Sequence, residues 1–207
     1  DKLEYLCNLD ARREEVRKLI EAQGNLTDEI SAALDKAATL AEIDDIYRPF
    51  RPKRKTRASV ARERGLEPLA QLLLAQEKSY DPTIEVQAEA YIDPEKEVNT
   101  AAEALQGAMD IIAEDVSDNA EYRKKLRALT FDHGSLATKA AKEEDSVYSM
   151  YYDFSEPLSK LPGHRILAIN RGEKEEFLKV SVELDREWAL GLIWNRAVTG
   201  RSESSVF

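Results

Sequence analysis

Cysteine, histidine, glycine and proline are all scarce in this sequence, and each scarcity excludes a class of protein. A single cysteine, Cys7, among 207 residues rules out an internal disulfide and fits a reducing compartment. It falls on the apolar side of the first helical pattern and reads as inert core. Two histidines, His133 and His164, stand in no metal-ligand spacing, and a lone histidine after a helix reads as a capping or surface residue. The nucleophile-elbow, P-loop and dinucleotide-binding glycine patterns are all missing. With no nucleophile–base pair and no metal cluster, the sequence predicts no enzyme, no metal site and no cofactor. Eight glycines and seven prolines, beside 43% hydrophobic and 34% charged residues, exclude a fibrous or disordered chain and favour helices in one or two domains. The longest apolar run, "LAQLLLA" at Leu69–Ala75, falls far short of the roughly 18–20 residues of a membrane span. The charged start, "DKLEYLCNLDARREE", has no signal-peptide pattern. A soluble, cytoplasmic protein without membrane contact is expected.

What is abundant is helical periodicity. Leu3, Leu6, Leu9, Val16, Leu19 and Ile20 fall near one stripe, which predicts a helix over 3–21 with Gly24 as its stop. A second helix spans about 27–38, capped by Thr27 or Asp28. "TLAE" at Thr39–Glu42 is a capping box, and the helix it opens must end near Arg48, because Pro49 disfavours a helical residue before it. Short helices follow over 59–64, stopping at Gly65, over 68–77 with Pro68 in the first turn, and over 83–91. The best-patterned helix runs from Val98 to Val116. Its apolar face reads Val98, Ala101, Ala102, Leu105, Ala108, Met109, Ile112 and Val116, with Glu103, Asp110 and Glu114 opposite. That regularity makes it central, with Leu105 and Ile112 as tight core. "TAAE" at Thr100–Glu103 is a candidate capping box. Asp118 caps a further helix to Phe131. "FLKVSVEL" at Phe177–Leu184 alternates with period two, a strand. Its partner is Ser135–Ala141 or Ile166–Asn170, though the latter stretch also reads as a helix with Pro162 in its first turn, and that reading is preferred. A last helix covers 186–197, and the tail "TGRSESSVF" looks frayed.

Charge is unevenly distributed. The net charge is −10, yet from Arg48 to Arg64 eight positions are Arg or Lys and only Glu63 opposes them. Three readings compete for this proline-marked segment, 47–65. It is a nucleic-acid contact in which Arg51, Lys53, Arg54, Lys55, Arg57, Arg62 and Arg64 grip phosphates. Or it is an internal strap paired to acidic helices and anchored by burial of Tyr47 and Phe50. Or it binds a partner domain. Glu42 and Asp45 counter this segment or face water rather than do acid–base work. The aromatics Tyr148, Tyr151, Tyr152 and Phe154 read as packing rather than as a base-stacking platform.

"IYRPFRPKRKTRASVARERGLEPLA" closely resembles the signature stretch of the bacterial Tex family of transcription accessory proteins, relatives of a eukaryotic elongation factor and histone chaperone. The resemblance continues through "AYIDPEKEVNTAAEALQGAMDIIAEDVSDNAEYRKKLR" and "YYDFSEPLSKLPGHRILAINRGEKEEFLKVSVEL", and so covers most of the chain. It implies a mainly helical, elongated cytoplasmic protein with YqgF, helix-hairpin-helix and C-terminal oligonucleotide-binding modules, the last as the main nucleic-acid binder and YqgF as the place for nuclease chemistry, all of which this chain lacks. The chain is therefore expected to be an excised N-terminal fragment. The resulting expectation is a mainly α fold with one small β element near the C-terminal third. Residues 1–131 form a helical region with the basic segment, and 132–207 a mixed continuation. The expected function is a non-catalytic scaffold that positions the remaining domains of a full-length protein and adds weak nucleic-acid contacts. The alternative is a purely structural or protein-interaction domain.

Overall fold

The computed structural model describes residues 2–52, 54–142 and 144–198, so the frayed-tail expectation for 199–207 and the contact assigned to Lys53 lie outside the described residues. The fold is mainly helical with one three-stranded antiparallel sheet toward the C-terminal end. The chain divides into two compact units. One holds the residues up to Arg123 together with those from Arg196 onward, and the other holds Lys124–Asn195. Among the described residues no helix is long and apolar enough to cross a membrane.

The first unit begins with α1 (Lys2–Ala22), α2 (Asp28–Lys36) and α3 (Leu40–Tyr47). Thr27 caps α2 by accepting from the Ile30 N–H. Thr39 caps α3 by accepting from the Glu42 N–H, and the Glu42 carboxylate returns a bond to the Ala38 N–H at 2.7 Å. Half of the expected capping box thus forms, with the Glu42 carboxylate accepting from the residue before the cap instead of from Thr39. Leu9, Val16 and Ile20 of α1 close a core with Leu34, Ile43 and Tyr47. The α1 stripe is shorter than its pattern. Leu3, Leu6 and Leu19 are exposed, and so is Cys7, which corrects its reading as core. Cys7 lies nine residues before Val16, about 180° round the helix and so on the opposite face, and Leu19 sits at the edge of the buried stripe. For Leu3 and Leu6 the reason is length. α2 and α3, of nine and eight residues, cannot cover a helix of 21 residues, about 31 Å long.

A second core joins α4 (Arg57–Glu63), α5 (Glu67–Ala75), α6 (Ile84–Glu89) and α7 (Ala101–Asp118). α7 packs against the other three, the central place its regularity predicts. α5 carries Pro68 in its first turn and ends at Gln76, which adopts the left-handed conformation. The buried face of α7 differs from the expected one. Ala104, Ala108 and Ile111 are fully enclosed, whereas Leu105 and Ile112 are only partly buried and Met109 is exposed. The small residues decide this. Gly107 lies so close to α4 and its exit that a Cβ there would sit 2.4 Å from Leu66 Cδ1 and 3.3 Å from Ala61 Cβ. Close approach selects the Ala–Gly–Ala side over the bulkier stripe. Asp118 is also reassigned. It ends α7, buried, while Asn119 accepts from the Tyr122 N–H at 3.1 Å and caps α8 (Ala120–His133).

The second unit centres on strands β1 (Ser135–Ala140), β2 (Asp153–Pro157) and β3 (Leu178–Glu183), in the order β2-β1-β3. Thr138 faces Phe154 on one side and Val180 on the other. The predicted strand and the first of its two candidate partners are both present. The other candidate, 166–170, lies within α9 (Gly163–Lys174), and Pro162 precedes that helix as its cap. Tyr148, Tyr151, Ile169 and Leu178 form the core here, with Tyr152 and Phe154 packed against it, so the aromatic group is packing. α10 (Arg186–Ala197) completes the described elements, and its Trp188 ring lies 4.3 Å from that of His133.

Candidate nucleic-acid interface

The basic segment leaves α3 through a single 3-10 turn, Arg48–Phe50, with Pro49 near its start. Arg51 is extended (φ −65°, ψ 132°), and among the described residues no helix or strand resumes before Arg57. Proline removes a donor and fixes φ, so the chain runs along a surface instead of coiling. Tyr47 is buried in the α1–α3 core and Phe50 packs on its edge. The guanidinium groups of Arg12 and Arg51 lie 5.8 and 5.6 Å from the Tyr47 ring centre, within cation–π range. Thr56 then starts α4 with a full capping box. Its hydroxyl accepts from the Ser59 N–H, and the Ser59 hydroxyl accepts from the Thr56 N–H. This pair moves the start of α4 two residues ahead of the 59–64 range that the sequence pattern predicts.

The partner surface is α7. Asp110, Glu114 and Asp118 are spaced by four, so they line one side of the helix. Arg48 Nε donates to Asp118 at 2.7 Å. The Thr56 hydroxyl donates to Glu114 at 2.9 Å, and Arg57 approaches Asp110 at 3.6 Å. Arg62 gathers three carboxylates, Glu114 at 2.9 Å, Asp115 at 2.6 Å and Glu67 at 2.9 Å. The sequence pattern places Asp110 and Glu114 on the solvent side, opposite the core. Their side chains are instead only 15% and 17% exposed, covered by the basic segment. Burial works against the Arg62 charge, but the Glu114 hydrogen bond and the nearby Asp115 and Glu67 outweigh it and raise its pKa. Asp115 goes the other way from a simple ion pair. Burial pushes its pKa up, Arg62 pulls it down, and Glu67 and Glu114 push it up again, leaving it raised. A shallow cleft of about 370 Å³ lies between the segment and α7, with Ala113 and Ser117 in its lining. Arg48 and Arg57 on its walls face Asp110, Glu114 and Asp118, so it offers an anion no net attraction.

The expected contact residues therefore separate into two groups. Arg62 is held internally, and Arg64 bonds Glu97 at 2.7 Å. Arg51 lies 3.8 Å from Asp44 and Lys55 lies 3.9 Å from Glu63, both exposed. Arg57 is 86% exposed despite its approach to Asp110. Arg54 is exposed, and among the described residues no carboxylate pairs with it. Sequence reasoning missed Arg48 and the four-residue acid spacing on α7, which was visible in "AMDIIAEDVSD". Asp45, expected to counter this segment, is buried and bonds Arg123 Nε at 2.6 Å. Among the described residues no group of three or more His, Cys, Asp or Glu could hold a metal ion.

Residues 78–197 match the family model described as Tex central region-like. The protein YdcI of Bacillus subtilis is 41% identical over 208 residues, covering 99% of this chain and 29% of the relative. Protein tex of Bordetella pertussis is 40% identical over 189 residues, covering 90% and 24%. A transcription elongation factor SPT6 homolog of Arabidopsis thaliana is 26% identical over 208 residues, covering 81% and 12%. The chain thus spans less than a third of the length of these relatives. With a family match over more than half its residues and such identity across nearly all of them, the chain belongs to the Tex family.

Proposed function

We propose that this chain is a non-catalytic scaffold module of a cytoplasmic Tex-like transcription accessory protein. It positions the protein's other domains and adds secondary nucleic-acid contacts through the exposed part of its basic segment. The observation that carries this reading is the division of labour among the cations. Arg48 and Arg62 latch the segment onto the α7 acid row, while Arg54, Lys55 and Arg57 stay exposed between those latches. An internal strap needs its charges neutralised, and these three are not held closely. A relative named as a transcription accessory protein, 34% identical over 186 residues, supports the setting. Net acidity opposes phosphate, so binding is expected to be weak, near the ~10⁻⁴–10⁻⁶ M of non-specific contacts or poorer.

The alternative, a purely structural domain, is favoured by one observation: Arg48 and Arg62 pair with the largely enclosed carboxylates of Asp118 and Glu114 at 2.7 and 2.9 Å. Replacing Lys53, Arg54 and Lys55 together by Ala separates the two. The contact reading expects an unchanged melting temperature and a flatter salt dependence of nucleic-acid binding. A variant that unfolds makes the three residues structural, and one that folds and binds as before removes the segment from the binding surface. The same preparations should show no nuclease or phosphatase activity with or without divalent metal. Metal-dependent cleavage abolished by mutating one of the chain's own carboxylates would overturn the non-catalytic assignment.

A further inference from the structure

Resting on the nucleic-acid reading above, we infer that the exposed stretch Arg54–Arg57 grips the phosphates of a duplex without reading sequence, and is unsuited to holding a single strand. Three observations carry this. The first is what the segment has turned inward. Sequence-tolerant single-strand binders add aromatic platforms to a basic groove, each stacked base contributing roughly 1–3 kcal/mol. The two aromatics here are committed elsewhere, Tyr47 to the core beneath Arg12 and Arg51 and Phe50 to that core's edge. Among the described residues the exposed aromatics lie on other elements, Tyr5 on α1, Phe131 on α8, and Trp188 and Trp194 on α10.

The second observation is the lack of neutral base-reading groups. Residues 47–66 contain no Asn or Gln. The only hydroxyls on Ser or Thr in that range, Thr56 and Ser59, are tied into the capping box, and Thr56 also donates to Glu114. Only Arg and Lys remain; these can reach guanine as well as phosphate, but no helix or strand seats Arg54 or Lys55 in a groove, so phosphate is the contact open to them. The third is charge density. An extended stretch from Arg54 to Arg57 reaches about 10 Å. Over that length a duplex presents about six charges and one strand about three. With attraction as the only term, the denser array wins.

The test is an anisotropy titration of the 207-residue chain across a salt series. The probes are a duplex of about 20 base pairs and mixed sequence, an A-tract duplex of the same length and a single strand of about 20 nucleotides, each spanning more than the roughly six charges that the stretch can cover. Each is titrated with wild type and R54A/K55A/R57A. A second variant, R54Q/K55Q/R57Q, keeps side-chain bulk, and melting curves confirm that both fold. The expected result is tighter binding of duplex than of single strand and less than about threefold difference between the two duplexes, as phosphate contacts carry no sequence information. The log–log salt slope on duplex should be shallower by about 2.7 in either variant, since each of the three cations removed leaves one phosphate unneutralised, at about 0.9 apiece. Single strand bound as tightly as duplex, or roughly a tenfold preference between the duplexes, overturns this inference while leaving the contact reading intact, provided the variants still flatten the slope. If neither variant alters slope or affinity on any probe, or wild type binds none of them, the contact reading itself fails and this inference falls with it.

Discussion

Ile111 and Asp115 sit four residues apart on α7 and illustrate two different fates of a side chain in that helix. Ile111 is fully enclosed among Ala, Leu and Ile neighbours of the larger core. Truncating it to Ala should cost about 2–5 kcal/mol. The same change at Leu105 or Ile112, which are only partly buried, should cost visibly less in a urea titration. Equal losses at all three would show that the expected stripe, not the small-residue face, bears the packing. Asp115 makes a 2.6 Å bond to Arg62, and simple counting would credit it with stability. Its raised pKa says otherwise. The folded state holds the proton to higher pH than the unfolded chain does, so this group subtracts stability as pH rises through the window between the ordinary Asp value and the raised one. Asp115→Asn should therefore melt no lower than wild type at neutral pH. The difference between the two should shrink as pH falls through that window. A clear drop in melting temperature at neutral pH would mean that the ion pair outweighs the crowding of Asp115 with Glu67 and Glu114.

At the scale of elements, the helices were the legible part, because caps and stops are local. Thr27, Thr39, Gly24 and Pro68 each act on neighbours within a few residues, and their helices lie where the pattern puts them. Faces were less legible, since a face is chosen by what packs on it. α7 turned its Ala104, Gly107 and Ala108 side inward because α4 approaches closely there, and nothing in the α7 sequence alone announces α4. β2 was missed altogether. "DFSEP" is five residues ending in proline, and it is a strand because β1 supplies a paired edge. The candidate interface was legible as charge and not as geometry: which cation is latched depends on acids more than 50 residues away. Gly107 tests the close approach. In an exposed helix Gly→Ala gains up to ~1 kcal/mol. Here Gly107→Ala should destabilise the protein instead, by about 1–3 kcal/mol as overpacking does. Adding Leu66→Val, which withdraws the nearest atom, should recover part of that loss. A Gly107→Ala protein that melts higher than wild type would show that the Leu66 side chain yields freely to the added methyl.

At the scale of the whole molecule, an acidic protein carries a dense basic segment because the ends of that segment are matched to its own acids. The Arg48–Asp118 and Arg62–Glu114 pairs bracket the exposed stretch, and the Arg123–Asp45 pair ties α3 to the first turn of α8. The pairing lies within the first unit, whose two cores bury most of the enclosed hydrophobic residues. Its acids also compete with any phosphate that approaches, so this chain should bind nucleic acid less tightly than its local count of cations suggests. The bracketing has a consequence for the covalent chain. Arg54 and Lys55 are exposed, outside any helix or strand, and open to a trypsin-like protease. A nick there leaves the α1–α3 piece with Arg48 and Asp45 still bound to the α7–α8 junction, and the remainder with Arg62 still on α7. The cleaved protein should migrate as one species in gel filtration and as two bands after denaturation, a naturally divisible polypeptide whose halves reassemble without the peptide link between them.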